Sequence, residues 1–378
     1  MRPGNLPTPV LLVEPAGDRT NVGKCTQQPD AGGGLDSRRV TPLVSVVIPA
    51  YNSSDYLQKA LQSISVAAGE FVCEIIVVDD CSEDVEQLRA LLATRDNATL
   101  IEKAAKSNAA DSRNMGFRAA VGDFVFFLDS DDFFADDHIR HRIDLHMKMS
   151  CGVIFGNFSI VENDFVIQSD IVAYSGQNMR DYIFGDNGDV RSSTLSLFRQ
   201  NHKGTLFDSQ QGKHQDWGFA IRCFDAGETM YFDAAHGVFI CYCSNIARMS
   251  SRMNIEASRY FVCQYLSSRA QLATFVRRHV VLVIHSGDLG GRDFLRELLL
   301  DSHTRFGRGA RFRIFFLCLL LMPKPSPAYA RLVDAGMFGL RTWRFFCKPL
   351  LRAFSRDSAV LCRSAWQGAD RVSGGGPK

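Results

Sequence analysis

The feature that most constrains the fold is a short apolar run that ends in three carboxylates. Residues 123–128 (DFVFFL) lead directly into Asp129-Ser130-Asp131-Asp132. An apolar run of this kind predicts a strand buried on both faces, as in a parallel sheet. Ligands of open α/β folds bind at the carboxyl ends of such strands, and carboxylate oxygens are the ligands that Mg²⁺ and Mn²⁺ prefer. A solvent-exposed acidic turn is the alternative interpretation.

Two earlier segments show the same pattern of a strand followed by polar residues. Residues 43–52 (LVSVVIPAYN) and 74–82 (EIIVVDDCS) are β-branched runs bounded by turn residues. A segment with helical periodicity follows each of them, with Ser53 or Ser54 as the predicted N-cap of the first helix and Ser82 as that of the second. The pattern predicts a βαβ unit with parallel strands. We therefore expect three strand ends to meet at one crevice.

Taken in order, the segments VSVVIPAYN, EIIVVDDCSED and NAADSRNMGFRAAVGDFVFFLDSDD resemble the family-2 glycosyltransferases of the GT-A fold, including their DxD motif. The resemblance covers about residues 44–250. It implies an α/β fold, Rossmann-like, with a mostly parallel sheet flanked by helices. It also implies an inverting, metal-dependent transfer of a sugar from a nucleotide-diphospho-sugar to an acceptor hydroxyl, in bacterial surface polysaccharide or glycolipid synthesis.

The resemblance assigns the first two strand ends to the nucleotide of the donor. Pro49, Ala50 and Tyr51 are expected to form the first wall of the nucleobase pocket. Asp80 is expected to hydrogen-bond the base, with Asp79 beside it. A tyrosine ring at this position also suits stacking on the base, although packing of Tyr51 in the core is an alternative.

The diphosphate and the metal are assigned to the third strand end and to one arginine. Arg113 aligns with the family arginine near the base and diphosphate, and its guanidinium suits phosphate recognition. Asp129 is expected to contact the ribose or a metal-bound water, with Ser130 also at the donor. Asp131 is the expected main ligand of Mn²⁺ or Mg²⁺, and Asp132 supports it or faces the acceptor.

The acceptor side is assigned to Gln215-Asp216-Trp217, which resembles the acidic pair that opens a helix over the acceptor in this family, with glutamine in the first position. Asp216 is the expected general base, and an ordinary helix cap is the alternative. Trp217 is expected to pack against a sugar ring or in the core. Asn245 and Arg248 occupy a segment that lies near the diphosphate in relatives. Either Arg248 compensates for the uncharged Asn245, or this loop is divergent.

Charge and composition divide the rest of the chain. Residues 1–40 are rich in Pro and Gly, which predicts a disordered leader. The catalytic domain is predicted to span residues 41–255. A helical, basic, membrane-associated extension is predicted for residues 256–356, and a flexible tail for residues 357–378. Residues 305–356 carry eleven Lys or Arg and one acid, Asp334, whereas the net charge of the whole chain is +2. The apolar run 314–322 is shorter than the roughly 20 residues of a membrane span, which favours an interfacial helix on an anionic membrane. A core helix is the alternative.

Eleven cysteines scattered among apolar runs indicate reduced thiols, and with the absence of an export signal they predict a cytoplasmic protein, peripheral to the inner face of the cell membrane. Nucleic acid is not an expected partner, because the basic residues are interleaved with bulky aliphatics. A metal-dependent nucleotidyltransferase would need a glycine-rich loop after the first strand, and none follows it. A catalytically silent nucleotide-sugar-binding scaffold is favoured by Ala109 and Asn245 and opposed by Arg113, Asp131 and Asp216.

Overall fold

The computed structural model describes residues 43–162, 165–242 and 253–300. In these ranges the strands are β1 (Leu43–Ala50), β2 (Val72–Asp79), β3 (Ala98–Glu102), β4 (Phe124–Phe127), β5 (Phe133–Phe134), β6 (Val153–Gly156), β7 (Phe158–Glu162), β8 (Phe165–Ser169), β9 (Ser196–Phe198), β10 (Met230–Asp233) and β11 (Val238–Tyr242). The helices are α1 (Ser54–Ala68), α2 (Val85–Leu92), α3 (Ala109–Ala119), α4 (His138–Met149), α5 (Met179–Phe184), α6 (Gln215–Asp225), α7 (Ile255–Tyr265), α8 (Arg269–His285) and α9 (Leu289–Leu300).

Most strands form one seven-stranded sheet in the order β10-β6-β9-β4-β1-β2-β3. Parallel pairing joins β1 to both β2 and β4, and β2 to β3, whereas β9 runs antiparallel to its two neighbours. A smaller sheet has the order β5-β11-β7-β8. The predicted α/β fold with a mostly parallel sheet is confirmed, and the predicted βαβ unit is its centre.

Strand β1 is central because its side chains are buried on both faces of the sheet. Val47 belongs to the core on one face together with Val78 and Phe127, and Val46 to the core on the other face with Val77. Burying one such aliphatic side chain stabilises the fold by about 1.5–3 kcal/mol. The continuous apolar runs of the sequence therefore become central parallel strands, whose polar ends lie at one edge of the sheet.

The helix caps differ from the predictions. Ser53 is the N-cap residue of α1, but its hydroxyl makes no capping bond, and the carboxylate of Asp84 accepts the Ser54 N–H at 2.8 Å instead. The predicted cap at Ser82 is wrong, because α2 begins at Val85 after Asp84. Asp79 accepts the Ser82 N–H at 3.0 Å, which holds Ser82 in the turn that precedes the helix.

The three helices α7–α9 lie where a helical extension was predicted. Phe261 and Phe275 from these helices share one apolar core with Phe127 and Phe219 of the sheet side. Within the described chain, no helix is long and apolar enough to cross a membrane. The leader 1–40, the basic segment 305–356, the tail 357–378 and the site candidates Asn245 and Arg248 lie outside the described residues.

Candidate active site

One serine contacts both ends of the acidic run that follows β4. Asp132 is buried, its Oδ2 accepts the Ser193 hydroxyl at 2.5 Å, and its Oδ1 accepts the Cys241 N–H at 3.1 Å. The Ser193 hydroxyl also accepts the Asp129 N–H at 3.1 Å. Burial, together with the neighbouring carboxylates of Asp131 and Asp129, raises the pKa of Asp132 well above its ordinary value. Ser193 therefore fixes both ends of the run.

A buried arginine supports this serine from behind. Ser193 belongs to a single 3₁₀ turn, Ser192–Thr194, and the guanidinium of Arg142 on α4 donates to the Thr194 carbonyl at 2.9 Å. Arg142 is fully buried and pairs with Asp233, at the end of β10, at 2.8 Å. A buried pair of this kind fixes position more than it adds stability, because desolvation offsets much of the attraction.

The acidic run suits a divalent cation shared with a ligand. The predicted metal ligands Asp131, Asp129 and Asp132 offer oxygen donors, the chemistry that Mg²⁺ and Mn²⁺ prefer. Within ranges 43–162, 165–242 and 253–300, no three His, Cys, Asp or Glu side chains converge closely enough to hold a metal on their own. Mg²⁺ is usually bound through one or two carboxylates plus substrate phosphates, and the residues present fit that mode.

Arg113 joins the acidic run to the start of α6. It is buried on α3, donates to Asp129 Oδ1 at 2.5 Å and donates to Gln215 Oε1 at 2.8 Å. Helix α3 lies close against β1 because residue 116 is glycine: a Cβ there would come within 2.3 Å of Val47. Gln215 in turn donates to the Gln211 carbonyl at 2.8 Å, so the structure places it against Arg113 and the backbone.

Asp216 lies in the first turn of α6, where the sequence predicted a helix start. It is half-buried and accepts the Trp217 N–H at 2.9 Å. Burial raises the pKa of Asp216 to about 6, although the positive charge of Arg191 acts to lower it and the charge of Asp189 acts to raise it. A carboxyl group with a pKa in this range is well matched to accept a proton near neutral pH.

Two residues that the sequence analysis missed surround Asp216. Asp189 pairs with Arg191 at 2.9 Å and accepts the indole N–H of Trp217 at 2.8 Å. Burial alone would lower the pKa of Arg191, but the carboxylates of Asp189 and Asp216 raise it above its ordinary value. The pair places one positive charge beside two carboxylates.

Trp217 is packed mainly against protein groups. Its ring stacks on His214 with centroids 5.2 Å apart, and the Arg278 guanidinium lies 5.2 Å from its centroid. The ring also contacts Phe184 edge to face. The core packing that the sequence offered as one interpretation of Trp217 is thus present, and its contact with a sugar stays a prediction.

The predicted base pocket contains both buried and exposed members. Pro49 and Ala50 lie inside β1 and are buried, whereas Tyr51 is 45% exposed, with the Lys106 ammonium 3.4 Å from its ring centre. Asp79 is 2% exposed and bonded to the turn of Ser82. Asp80 is also buried and faces a lysine that the sequence did not single out. Tyr51 is therefore the exposed member of the predicted wall, and the Lys106 ammonium covers one face of its ring.

Comparison with known proteins places the chain in a family. Residues 45–205 match Glycosyl transferase family 2. The chain is also 30% identical over 213 residues to the glycosyltransferase GlyG of Streptococcus pneumoniae serotype 4, a match that covers 51% of this chain and 70% of GlyG. The chain belongs to glycosyltransferase family 2. The family predicted from the sequence motifs is confirmed.

One further relative and one solved structure show how far the similarity extends. The chain is 28% identical over 194 residues to the amylovoran biosynthesis glycosyltransferase AmsB of Erwinia amylovora, covering 48% of this chain and 64% of AmsB. The chain thus spans less than two thirds of AmsB. The structure of S. aureus TarS 1–349 in complex with UDP-GlcNAc aligns with a TM-score of 0.50 at 16% identity, over 80% of this chain and 91% of TarS. That similarity shows a shared fold.

Proposed function

We propose that this glycosyltransferase-family chain transfers a sugar, with inversion, from a nucleotide-diphospho-sugar to an acceptor hydroxyl, in bacterial surface polysaccharide or glycolipid synthesis. One observation carries the proposal: the connected side chains Asp129, Arg113 and Gln215 lead from the acidic sheet edge to Asp216, whose pKa is raised to about 6. Support for the pathway comes from AmsB, which is named for amylovoran biosynthesis, and support for the donor from TarS, whose complex contains UDP-GlcNAc.

The donor side binds and orients the diphosphate. Arg113 is positioned by two acceptors, so its guanidinium is preorganised, and charge-assisted bonds from arginine to phosphate are strong and geometrically specific. Asp131 is proposed as the main ligand of Mn²⁺ or Mg²⁺, with Asp129 and Asp132 as supporting groups and Ser130 at the donor. A bound cation supplies Lewis-acid stabilisation of the leaving diphosphate. Ser193 keeps the run in place for this role.

The acceptor side supplies the base. The Asp216 carboxylate takes the proton of the acceptor hydroxyl, and the acceptor oxygen forms a bond to the anomeric carbon. The bond from that carbon to the diphosphate oxygen breaks on the opposite face, so the configuration inverts. Arg191 balances the charge of Asp189 and Asp216 while the proton is absent. Base catalysis of this kind contributes about 10²–10⁴-fold to the rate.

A panel of donors tests the proposal. UDP-, GDP- and TDP-sugars are incubated with the full-length protein and Mn²⁺, and release of the nucleoside diphosphate and glycosylation of a saccharide or lipid-linked acceptor are measured. We expect turnover with at least one donor, abolished by EDTA and strongly reduced in Asp216→Asn. Asp55→Asn is the matched control, because Asp55 also lies in the first turn of a helix and is exposed. Absence of turnover with every donor would instead indicate a catalytically silent nucleotide-sugar-binding scaffold.

The membrane association predicted from the basic segment, and the cytoplasmic, peripheral location predicted with it, remain proposals. Each basic residue near an anionic surface contributes about 1 kcal/mol, and salt screens the attraction. We expect the full-length chain to sediment with acidic vesicles and to be partly released by salt. Replacement of Arg305, Arg308, Arg311 and Arg313 by glutamine should weaken this binding. Unchanged sedimentation of that variant would contradict the proposal.

A further inference from the structure

A buried lysine at the end of β3 is directed at the predicted base-reading carboxylate. Lys103 Nζ lies 2.8 Å from Asp80 Oδ1, and the two side chains are 4% and 9% exposed. Asp80 Oδ1 also accepts the Ser107 N–H at 2.7 Å. A buried charge pair with these partners has one defined arrangement, because both groups that face Oδ1 can only donate.

Other contacts hold Lys103 in place. Its ammonium donates to the hydroxyl of Ser107, to the Ser112 hydroxyl at 3.1 Å and to the Asn108 carbonyl at 3.3 Å. Its backbone N–H donates to the Asp79 carbonyl at 3.0 Å. The position of the positive charge is thus fixed by the loop between β3 and α3 and by the neighbouring strand.

The second oxygen of Asp80 is left for a ligand. In the described part of the chain, no group donates a hydrogen bond to Asp80 Oδ2. Some polar atoms without a partner are fully buried, but Oδ2 is not one of them. The pocket therefore presents one accepting oxygen. Asp80 also lies beside the exposed Tyr51, because its backbone N–H donates to the carbonyl of Ala50, the preceding residue, at 2.9 Å. An aromatic face beside one fixed acceptor is suited to a planar heterocycle with one ring N–H.

We propose that Lys103 acts as a positioning residue that commits Asp80 to a single acceptor, which makes the donor pocket selective for uracil or thymine. This inference rests on the proposed function. Uracil and thymine offer one ring N–H between two carbonyls. Cytosine and adenine present an unprotonated ring nitrogen at that position, which an acceptor oxygen repels. Guanine presents two adjacent N–H donors, which would need both carboxylate oxygens.

Nucleotide binding to the full-length protein tests this inference. Affinities for UDP, TDP, CDP, GDP and ADP are measured by calorimetry in Mn²⁺, without any sugar or acceptor. For the natural sequence we expect UDP and TDP to bind about 10–100-fold more tightly than the other three, the range expected for one hydrogen bond to a charged group.

The most informative variant is Asp80→Asn, which keeps the shape of the side chain. Lys103 and the Ser107 N–H can only donate, so the amide oxygen of the new side chain must face them and its NH₂ must replace Oδ2. A donor at that point pairs with the ring nitrogen of cytosine and repels the ring N–H of uracil. We expect the preference to reverse, with CDP bound about 10-fold more tightly than UDP.

Lys103→Met is the second variant for the binding experiment. It leaves a buried carboxylate without its counter-charge, and we expect UDP affinity to fall about 10–100-fold and the ratio between UDP and GDP to shrink. Because Lys103→Met can also destabilise the fold, the base preference of Asp80→Asn is the result that tests the inference. A preference for UDP over CDP in Asp80→Asn, or equal binding of GDP and UDP by the natural protein, would overturn the inference. Sugar transfer with such unselective binding leaves the proposed function intact, whereas absence of all nucleotide binding would overturn both.

Discussion

The carboxylates on the two sides of the crevice have different surroundings. On the donor side, Asp80 contacts Lys103 and Asp129 contacts Arg113, each within 2.8 Å of a cation. On the acceptor side, Asp216 is desolvated, and burial raises its pKa to about 6. Asp132, also on the donor side, is buried with no cation beside it among the described residues, and its pKa is raised as well. A neighbouring cation or its absence therefore separates carboxylates of one residue type, and the proposed roles of donor ligand and general base depend on this difference.

The largest expected effect tests the donor side. Replacing Asp131 by alanine should lower metal-dependent transfer by about 10³-fold, because a Lewis acid contributes several kcal/mol and each 1.36 kcal/mol is tenfold in rate. Turnover is measured over a range of Mn²⁺ concentrations. Asp136→Ala, five residues along and exposed, is the control. Full activity in Asp131→Ala would remove the proposed metal from the mechanism.

The next effect separates the phosphate contact from the base pocket. Arg113→Met should weaken nucleoside diphosphate binding by about 10–100-fold, because a charge-assisted bond is lost, while binding of the free nucleoside changes little. Calorimetry with UDP and uridine checks this. Arg118→Met changes an exposed arginine on the same helix and should have no effect. Equal losses for the nucleoside and the diphosphate would indicate that Arg113 acts only on the fold.

A smaller effect concerns the support of the acidic run. Ser193→Ala leaves the buried Asp132 carboxyl without its hydroxyl partner, which should destabilise the fold by about 1–3 kcal/mol and lower kcat up to about 10-fold. Urea unfolding and steady-state kinetics measure the two effects. Ser192→Ala is a matched control, because that neighbouring serine is buried but its hydroxyl bonds to no group in the described ranges. Identical behaviour of the two variants would contradict the assigned role of Ser193.

The smallest effect is a gain in stability on the acceptor side. The pKa of Asp216 is about 6 in the folded protein and 3.8 as an ordinary value, so the folded state binds this proton more tightly than the unfolded state. The contribution of Asp216 to stability is therefore full below pH 4 and is lost as the pH rises through 6. Asp216→Asn removes the penalty, and its Tm should exceed that of the natural protein by about 2–4 °C at pH 7.5 but not at low pH. A lower Tm at pH 7.5 would identify Asp216 as a stabilising cap.

The strand ends that carry the proposed donor half of the site were predictable because their signals are local. Central parallel strands are continuous β-branched and aromatic runs, and the polar residues that end them follow directly in sequence, as Asp79 follows Val78 and Asp129 follows Leu128. The position of Asp216 at a helix start was also predicted from neighbouring residues and the family motif.

The supporting residues were not predictable because their partners are distant in sequence. Ser193 and Asp132 are 61 positions apart, and Arg142 reaches the carbonyl of a residue 52 positions away. Lys103 reads as a solvated charge in the segment EKAAK, and only the pairing of β2 with β3 brings it to Asp80. The failure of Ser82 as a predicted cap has a local cause instead, because Asp79 holds Ser82 in the turn and the helix begins only after Asp84.

The proposed role of Asp216 as general base is tested by the turnover of Asp216→Asn, measured together with its donor affinity across pH 5–8, a range that brackets the pKa of about 6. If Asp216 is the general base, kcat of the natural protein falls as the pH drops through about 6. In the variant, kcat is then lower by about 10²–10⁴-fold and no longer falls as the pH drops through about 6. The variant still binds the nucleotide sugar normally. A loss of donor affinity as large as the loss of turnover, or an unchanged pH profile in the variant, would contradict this role.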